Sequence, residues 1–163
     1  MTLPTRTALG ATTGNRKWFC DVSPDGTTWT ALMGMTSFDP DWDNASLQDD
    51  SDFDGGGAKS QTKTAFGWSA QATVRRGVTS ASPTAYDPGQ ELVRAAAIGK
   101  TGIENSIYIR AYEMEPSGPR VEAYSGRCAV TWKQQGGNMD ALSTVQITFT
   151  GQGALAQITH PDA

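Results

Sequence analysis

Between Thr62 and Val74 the chain alternates with period two. Even positions read Thr62, Thr64, Phe66, Trp68, Ala70, Ala72 and Val74, and odd positions Lys63, Ala65, Gly67, Ser69, Gln71 and Thr73. One apolar face and one wet face sustained over this length predict a strand of an antiparallel sheet. Further apolar and β-branched runs predict strands over 16–22, from 28 through Trp29, Leu32 and Met35 toward Phe38, and over 107–112, 121–134 and 142–150. A short element is expected at 155–158. Turn chemistry separates these runs: Ser23-Pro24-Asp25-Gly26, the Pro- and Gly-bearing stretch 115–119, and the Gly pair in 135–138. One helix is signalled over 87–99. Asp87 suits its N-cap, Pro88 its first position, Gln90 the reciprocal capping role and Gly99 its stop. Leu92, Ala95 and Ala96 share the face expected to pack on the sheet. These elements predict a mainly β fold, a β-sandwich or partly closed barrel with one flanking α-helix. Residues 1–163 read as a single domain with a flexible arm at 1–13.

The alternation breaks down after Phe38. Asp occupies positions 39, 41, 43, 49, 50, 52 and 54, and Gly55, Gly56 and Gly57 follow. Without an apolar pattern, 44–61 is expected to be a long acidic loop, and loops of that length in compact domains are functional or mobile. Crowded carboxylates repel one another, so the segment stays extended until a cation or a basic surface neutralises it. Its candidate contact residues are Asp49, Asp50, Asp52, Phe53, Asp54, Gly55, Gly56 and Gly57. Residues 50–55 match the D-x-D-x-D-G start of a calcium-binding loop. The twelfth position, however, is Gln61 in place of a bidentate Glu, and strand-like sequence replaces the flanking helix. A fortuitous match in an Asp-rich stretch is the favoured reading, and calcium binding by these carboxylates in another geometry stays open.

The wet strand faces carry few charges. Ser69, Gln71 and Thr73 stand on one, Thr144, Gln146, Thr148 and Thr150 on another, and Ser37, Asp39, Asp41 and Asp43 share a parity. Threonine is a good strand former, which is the plain explanation. The sharper one is a surface that is hydrated but does not hold a polyanion. The net charge of −4 argues against free attraction to nucleic acid, which needs a basic face. No run approaches a membrane span, and the N-terminus lacks the apolar region of a signal peptide, so a soluble protein made in a cytoplasm is expected. Cys20 and Cys128 lie in strand-like segments and read first as small buried residues, with a disulfide or nucleophile as the alternative. His160, the one histidine, reads as a solvated tail residue. No sequence signature of a nucleophile elbow, zinc protease, phosphate loop or dinucleotide fold is present, so no enzyme, cofactor, catalytic residue or metal site is expected.

Several segments together resemble a known family. They are LQDDSDFDGGGAKSQTKTAFGWSAQATVRRG at 47–77, PGQELVRAAAIGKTG at 88–102, IYIRAYE at 107–113 and YSGRCAVTWKQQGGNMDALSTVQITFTGQG at 124–153. In element order and local composition the chain resembles the major tail tube proteins of long, non-contractile-tailed bacteriophages. The resemblance covers residues 15 to 155 and rests on no invariant motif. It implies a virion structural protein that assembles as hexameric rings, with sheets of neighbouring subunits joined into a barrel. Rings would stack into a tube whose lumen passes DNA without specific binding. Tape measure, tail tip and tail terminator proteins would be its partners, with no membrane contact. The loop at 44–61 would reach a neighbouring subunit or ring, with Arg75, Arg76, Lys100, Arg110, Arg120 and Arg127 as candidate receivers. Asp39, Asp41, Asp43, Ser69, Gln71, Thr73, Thr144, Gln146 and Thr148 would be candidates for the lumen. Relatives have a distinctly acidic lumen, from which these mostly neutral faces depart. Some relatives carry a C-terminal immunoglobulin-like domain, which is not expected here. Two other readings remain: a calcium-assisted carbohydrate-binding β-sandwich using Trp42 and Phe53 as an exposed platform, and another phage ring protein such as a tail terminator or head–tail connector.

Overall fold

A computed structural model of the chain describes residues 2–14 and 18–163. Ten strands are described: β1 (Trp18–Ser23), β2 (Thr30–Ala31), β3 (Met35–Asp49), β4 (Gln61–Arg75), β5 (Val78–Thr79), β6 (Ser82–Tyr86), β7 (Ser106–Glu113), β8 (Ala123–Gln135), β9 (Thr144–Gly151) and β10 (Ala156–Gln157). The helix α1 spans Pro88–Ala97. Eight strands form one antiparallel sheet in the order β2-β1-β7-β8-β9-β4-β3, with β10 beside β8. The fold is therefore mainly β with one helix, as the sequence pattern predicts. Residues 2–14 are exposed and carry no regular structure, and the predicted strand start at 16 and 17 falls outside the described residues.

The sheet curls until its ends face one another. Trp18 of β1 meets Phe38 and Trp42 of β3 at centroid separations of 5.9 and 6.0 Å. Inside lie Cys20, Val22, Trp68, Ala70, Ala72, Val74, Ile107, Ile109, Val130, Ile147 and Phe149. Even positions of β4 point inward from Trp68 onward, as alternation requires. Trp68 lies across two neighbouring strands that carry glycine where it passes. A Cβ on Gly126 or Gly151 would come within 2.5 Å of its indole. The two cysteines are free and buried in this core. Burial, with the Asp21 charge beside it, pushes the Cys20 thiol up to about 12, and burial raises Cys128 as well.

Several local expectations change. The predicted strand from 28 to 38 begins only at Thr30 and is interrupted at 32–34. Gly34 takes φ +80°, and a side chain there would press on the Arg75 carbonyl and the Gln90 amide. The hairpin of β5 and β6 carries no strong sequence pattern and was not anticipated. Asp87 caps α1 by accepting from the Gln90 N–H at 3.1 Å. Gln90 does not return the bond as a reciprocal cap. Its buried amide donates to the carbonyls of Met33 and Arg75 at 2.8 and 2.9 Å, bridging the break between β2 and β3 to the end of β4. The buried helix face is Gly89, Gln90 and Val93, with Leu92, Ala96 and Ala97 packed beside it, and Ala95 faces solvent. His160 is buried, not solvated. Its Nε2 donates to the Glu113 carbonyl at 2.6 Å, and its Nδ1 accepts from the Asp162 N–H at 3.0 Å, pinning the tail to β7.

Two outcomes follow from this core. Gly126→Ala or Gly151→Ala overpacks against Trp68 and costs about 1–3 kcal/mol, read as a lower midpoint in urea. The cysteines resist maleimide at pH 8 in the folded protein and react on unfolding, whereas fast labelling of both in native buffer would contradict their burial.

Candidate functional site

The predicted loop at 44–61 is part strand: 44–49 and Gln61 belong to β3 and β4. β3 runs on to Asp49 and pairs with β4 from Asn44↔Gly67 to Asp49↔Gln61. Beyond Trp42 on β3 and Gly67 on β4 every residue of this hairpin is exposed. It is a two-stranded ribbon projecting past the core. The sequence pattern hides it because neither face is buried, so no alternation is needed. The true connection is 50–60. There the Asp50 N–H donates to the Ser60 carbonyl, Ser51 and Ser60 bond across the turn, and Phe53–Gly55 forms a single 3-10 turn. Gly56 and Gly57 have positive φ and close the loop. Hydrogen bonds from Ser51 hold the Asp49 carboxyl below its ordinary range, and those from the Thr62 hydroxyl and Ser60 do the same for Asp50. Asp52, Phe53 and Asp54 sit at the tip, and Phe53 is wholly exposed. Among the described residues no three acidic, thiol or imidazole groups converge as a metal cage.

The structure gathers the polar face. Asp39 is opposite Gln71, and Asp41 is opposite Ser69. Gln71 is opposite Thr148, Thr73 is opposite Gln146, and Arg75 is opposite Thr144. Thr131 and Lys133 of β8 continue the rows. Asp43 stands at a break in register and pairs with Lys63 at 2.6 Å. The result is a four-stranded wet face of Thr, Ser and Gln with an acidic margin on β3. Both margins of this patch lack a strand partner among the described residues. β3 is the outer strand of the sheet, while β7 pairs with β8 only over 123–129 and leaves 130–135 open on that side. Asn105 fills the first open position, accepting from the Val130 N–H and donating to its carbonyl. Unpaired edges of this kind are templates for another chain.

Most of the cations expected to receive the loop are already engaged. Arg76 pairs with Glu91 at 2.8 Å and lies 3.8 Å over the Tyr86 ring. Arg110 pairs with buried Asp21 at 2.8 Å, Arg120 with Asp162, and Lys100 with Glu104. Arg75 and Arg127 make no ion pair among the described residues. Trp42 is not an exposed platform. Its inward parity places it among Trp18, Phe38, Trp68 and Tyr124, at 5.0 Å from the last. An apolar groove of about 590 Å³ opens at the seam between β1 and β3, lined by Trp18, Leu32, Met33, Met35 and Phe38 among others. Sequence reasoning missed it because it is made by the closure of the sheet.

No protein-family model matches the sequence, and no curated protein matches it. The fold, however, is shared with chains of tail-like assemblies. A chain from the virion of a native gene transfer agent particle superposes with TM-score 0.61 at 9% identity, covering 90% of this chain and 99% of that one. A chain from the tail of an empty gene transfer agent particle, refined with C6 symmetry, gives 0.60 at 14% identity, with 90% and 99% covered. A chain from a structure of the sheath/tube terminator of an extracellular contractile injection system in its extended state gives 0.58 at 7% identity, with 93% and 99% covered. These likenesses extend to contractile systems, so they do not single out the non-contractile tails expected from sequence.

Trp42 and Phe53 should behave oppositely. Trp42→Ala costs about 3 kcal/mol or more, and Phe53→Ala stays within about 0.5 kcal/mol, both measured by chemical denaturation. Equal, small effects would place Trp42 on the surface.

Proposed function

We propose that the chain is a structural subunit of a phage-type tail, assembling through its own copies into stacked, hexameric rings that form a tail tube. The observation that carries this reading is the four-stranded wet face flanked on both sides by unpaired edges. Pairing of β3 in one copy with residues 131–135 of β8 in the next would extend the sheet around a ring and remove both edges at once. Asp39, Asp41, Ser69, Gln71, Thr73, Thr144, Gln146 and Thr148 would then line the lumen. Hydroxyls, amides and a few carboxylates dominate this face, with Arg75 and Lys133 as cations at the ends of their rows, so DNA meets few anchors and slides through without being bound. The end-to-end likeness to tail chains supports this role, and the non-contractile class rests on the sequence resemblance.

In this reading the protein is no enzyme and needs no cofactor. It is one continuous tube domain without a membrane role, built in the bacterial cytoplasm and residing in the virion. Tape measure, tip and terminator proteins are its partners. The acidic hairpin reaches the adjacent ring, and repulsion between tips slows premature assembly of free subunits. A terminator ring is the second reading, favoured by the likeness to a chain from a sheath/tube terminator structure. Negative-stain microscopy of concentrated protein separates the two, because a tube subunit gives stacked filaments and a terminator gives single rings. Strictly monomeric particles at high concentration would defeat both. Replacing Asp49, Asp50, Asp52 and Asp54 together with Asn leaves the subunit folded, since the tip is solvated. It changes the kinetics of association in light scattering. Unchanged kinetics would remove tip repulsion from the account.

A further inference from the structure

The groove at the seam and the aromatic at the hairpin tip form a complementary pair at opposite ends of the molecule. The groove is apolar, and Met33, on its rim, is 60% exposed. Met33 and Gly34 are shared with a second hollow of about 380 Å³ lined by Arg75, Gly77, Val78 and Thr79. Arg75 is an exposed cation without an ion-pair partner among the described residues. The acids near these hollows are occupied. Asp21 holds Arg110 and Tyr112, and Asp87 caps α1 and accepts from the Met33 N–H. Phe53 stands fully exposed between Asp52 and Asp54. An aromatic between two carboxylates thus matches an apolar cleft beside an unpaired guanidinium, in both shape class and charge.

The knob cannot reach the groove of its own chain. Groove residues Met35 to Phe38 open β3, while the tip follows its far end at Asp49. Fourteen extended steps place the two about 45 Å apart. Folding back would break the pairing of the ribbon. A knob and a socket at opposite ends of one subunit make a heterologous contact, which between stacked rings propagates from copy to copy. We propose that the hairpin tip of one copy seats Phe53 in the β1–β3 groove of a second copy, with Asp52 and Asp54 meeting Arg75. This inference rests on the self-assembly reading and deepens it by naming the seat of the tip in the adjacent ring.

The test uses the full chain carrying Phe53→Cys and Met33→Cys, treated with a short bismaleimide at the higher concentrations where this variant itself assembles. Cys20 and Cys128 are buried and stay silent. The expected result is a covalent ladder of dimers, trimers and longer chains, because each copy has one knob and one socket. Pairing Phe53→Cys with Ile103→Cys, on the turn after α1, should give no ladder. In parallel, Phe53→Ala or Arg75→Glu should raise the concentration needed for assembly about tenfold. Met33→Cys alone should be shielded from maleimide in assemblies and uncovered by Phe53→Ala. If the cysteine-pair variant assembles while the bismaleimide yields only monomers, the docking is wrong and self-assembly stands. Uncovering of Met33→Cys by deletion of residues 2–14, but not by Phe53→Ala, would assign the groove to the N-terminal arm and overturn the proposal. A wild type that does not assemble fails the underlying reading instead.

Discussion

Trp68 crosses Gly126 and Gly151, and Trp42 beside it reaches Trp18 and Tyr124. This aromatic layer joins the two ends of one long sheet, and the rest of the structure depends on it. Below it, alternating residues of β1, β3, β4, β7, β8 and β9 fill a closed apolar interior, with α1 packed against it. Above it no third layer exists, and β3 and β4 continue as a bare ribbon. A two-stranded hairpin is marginal on its own in water. The chain therefore keeps more strand than its own core stabilises.

The same closure leaves the sheet incomplete at its margins. β1 and β3 approach through side chains, not backbone pairing, and a groove remains between them. Residues 130–135 of β8 have no strand on one side among the described residues, with Asn105 bonding the backbone of Val130 at their start. Long free edges, an unsupported ribbon and a solvent-facing Phe53 are liabilities in a monomer. They become joints when many copies meet in fixed order, which is why the assembly reading explains them together.

Much of this was legible in the chain. The period-two run of β4 showed its inward and outward faces, and Asp87, Pro88 and Gly99 marked the ends of α1. The candidate lumen residues fell on one face, because strand parity is a local property. What escaped the sequence depends on distant contacts. Asn44 to Asp49 looked like loop since a ribbon solvated on both faces needs no apolar period. Gln90 looked like a cap, but the carbonyls of Met33 and Arg75 claim its amide. His160 looked like tail, and its burial comes from the Glu113 carbonyl across the chain. Trp42 looked exposed beside its acids, although parity with Phe38 places it inside.

Hydrogen–deuterium exchange of the hairpin, read residue by residue in dilute subunit and in assembled material, tests the central claim most directly. The account predicts that amides of 44–49 and 61–66 exchange quickly in the free subunit and become protected on assembly. Amides of 68–75 should be protected in both states. Strong protection of the ribbon in the isolated monomer, or its continued rapid exchange after assembly, would contradict the claim that neighbouring copies complete this fold.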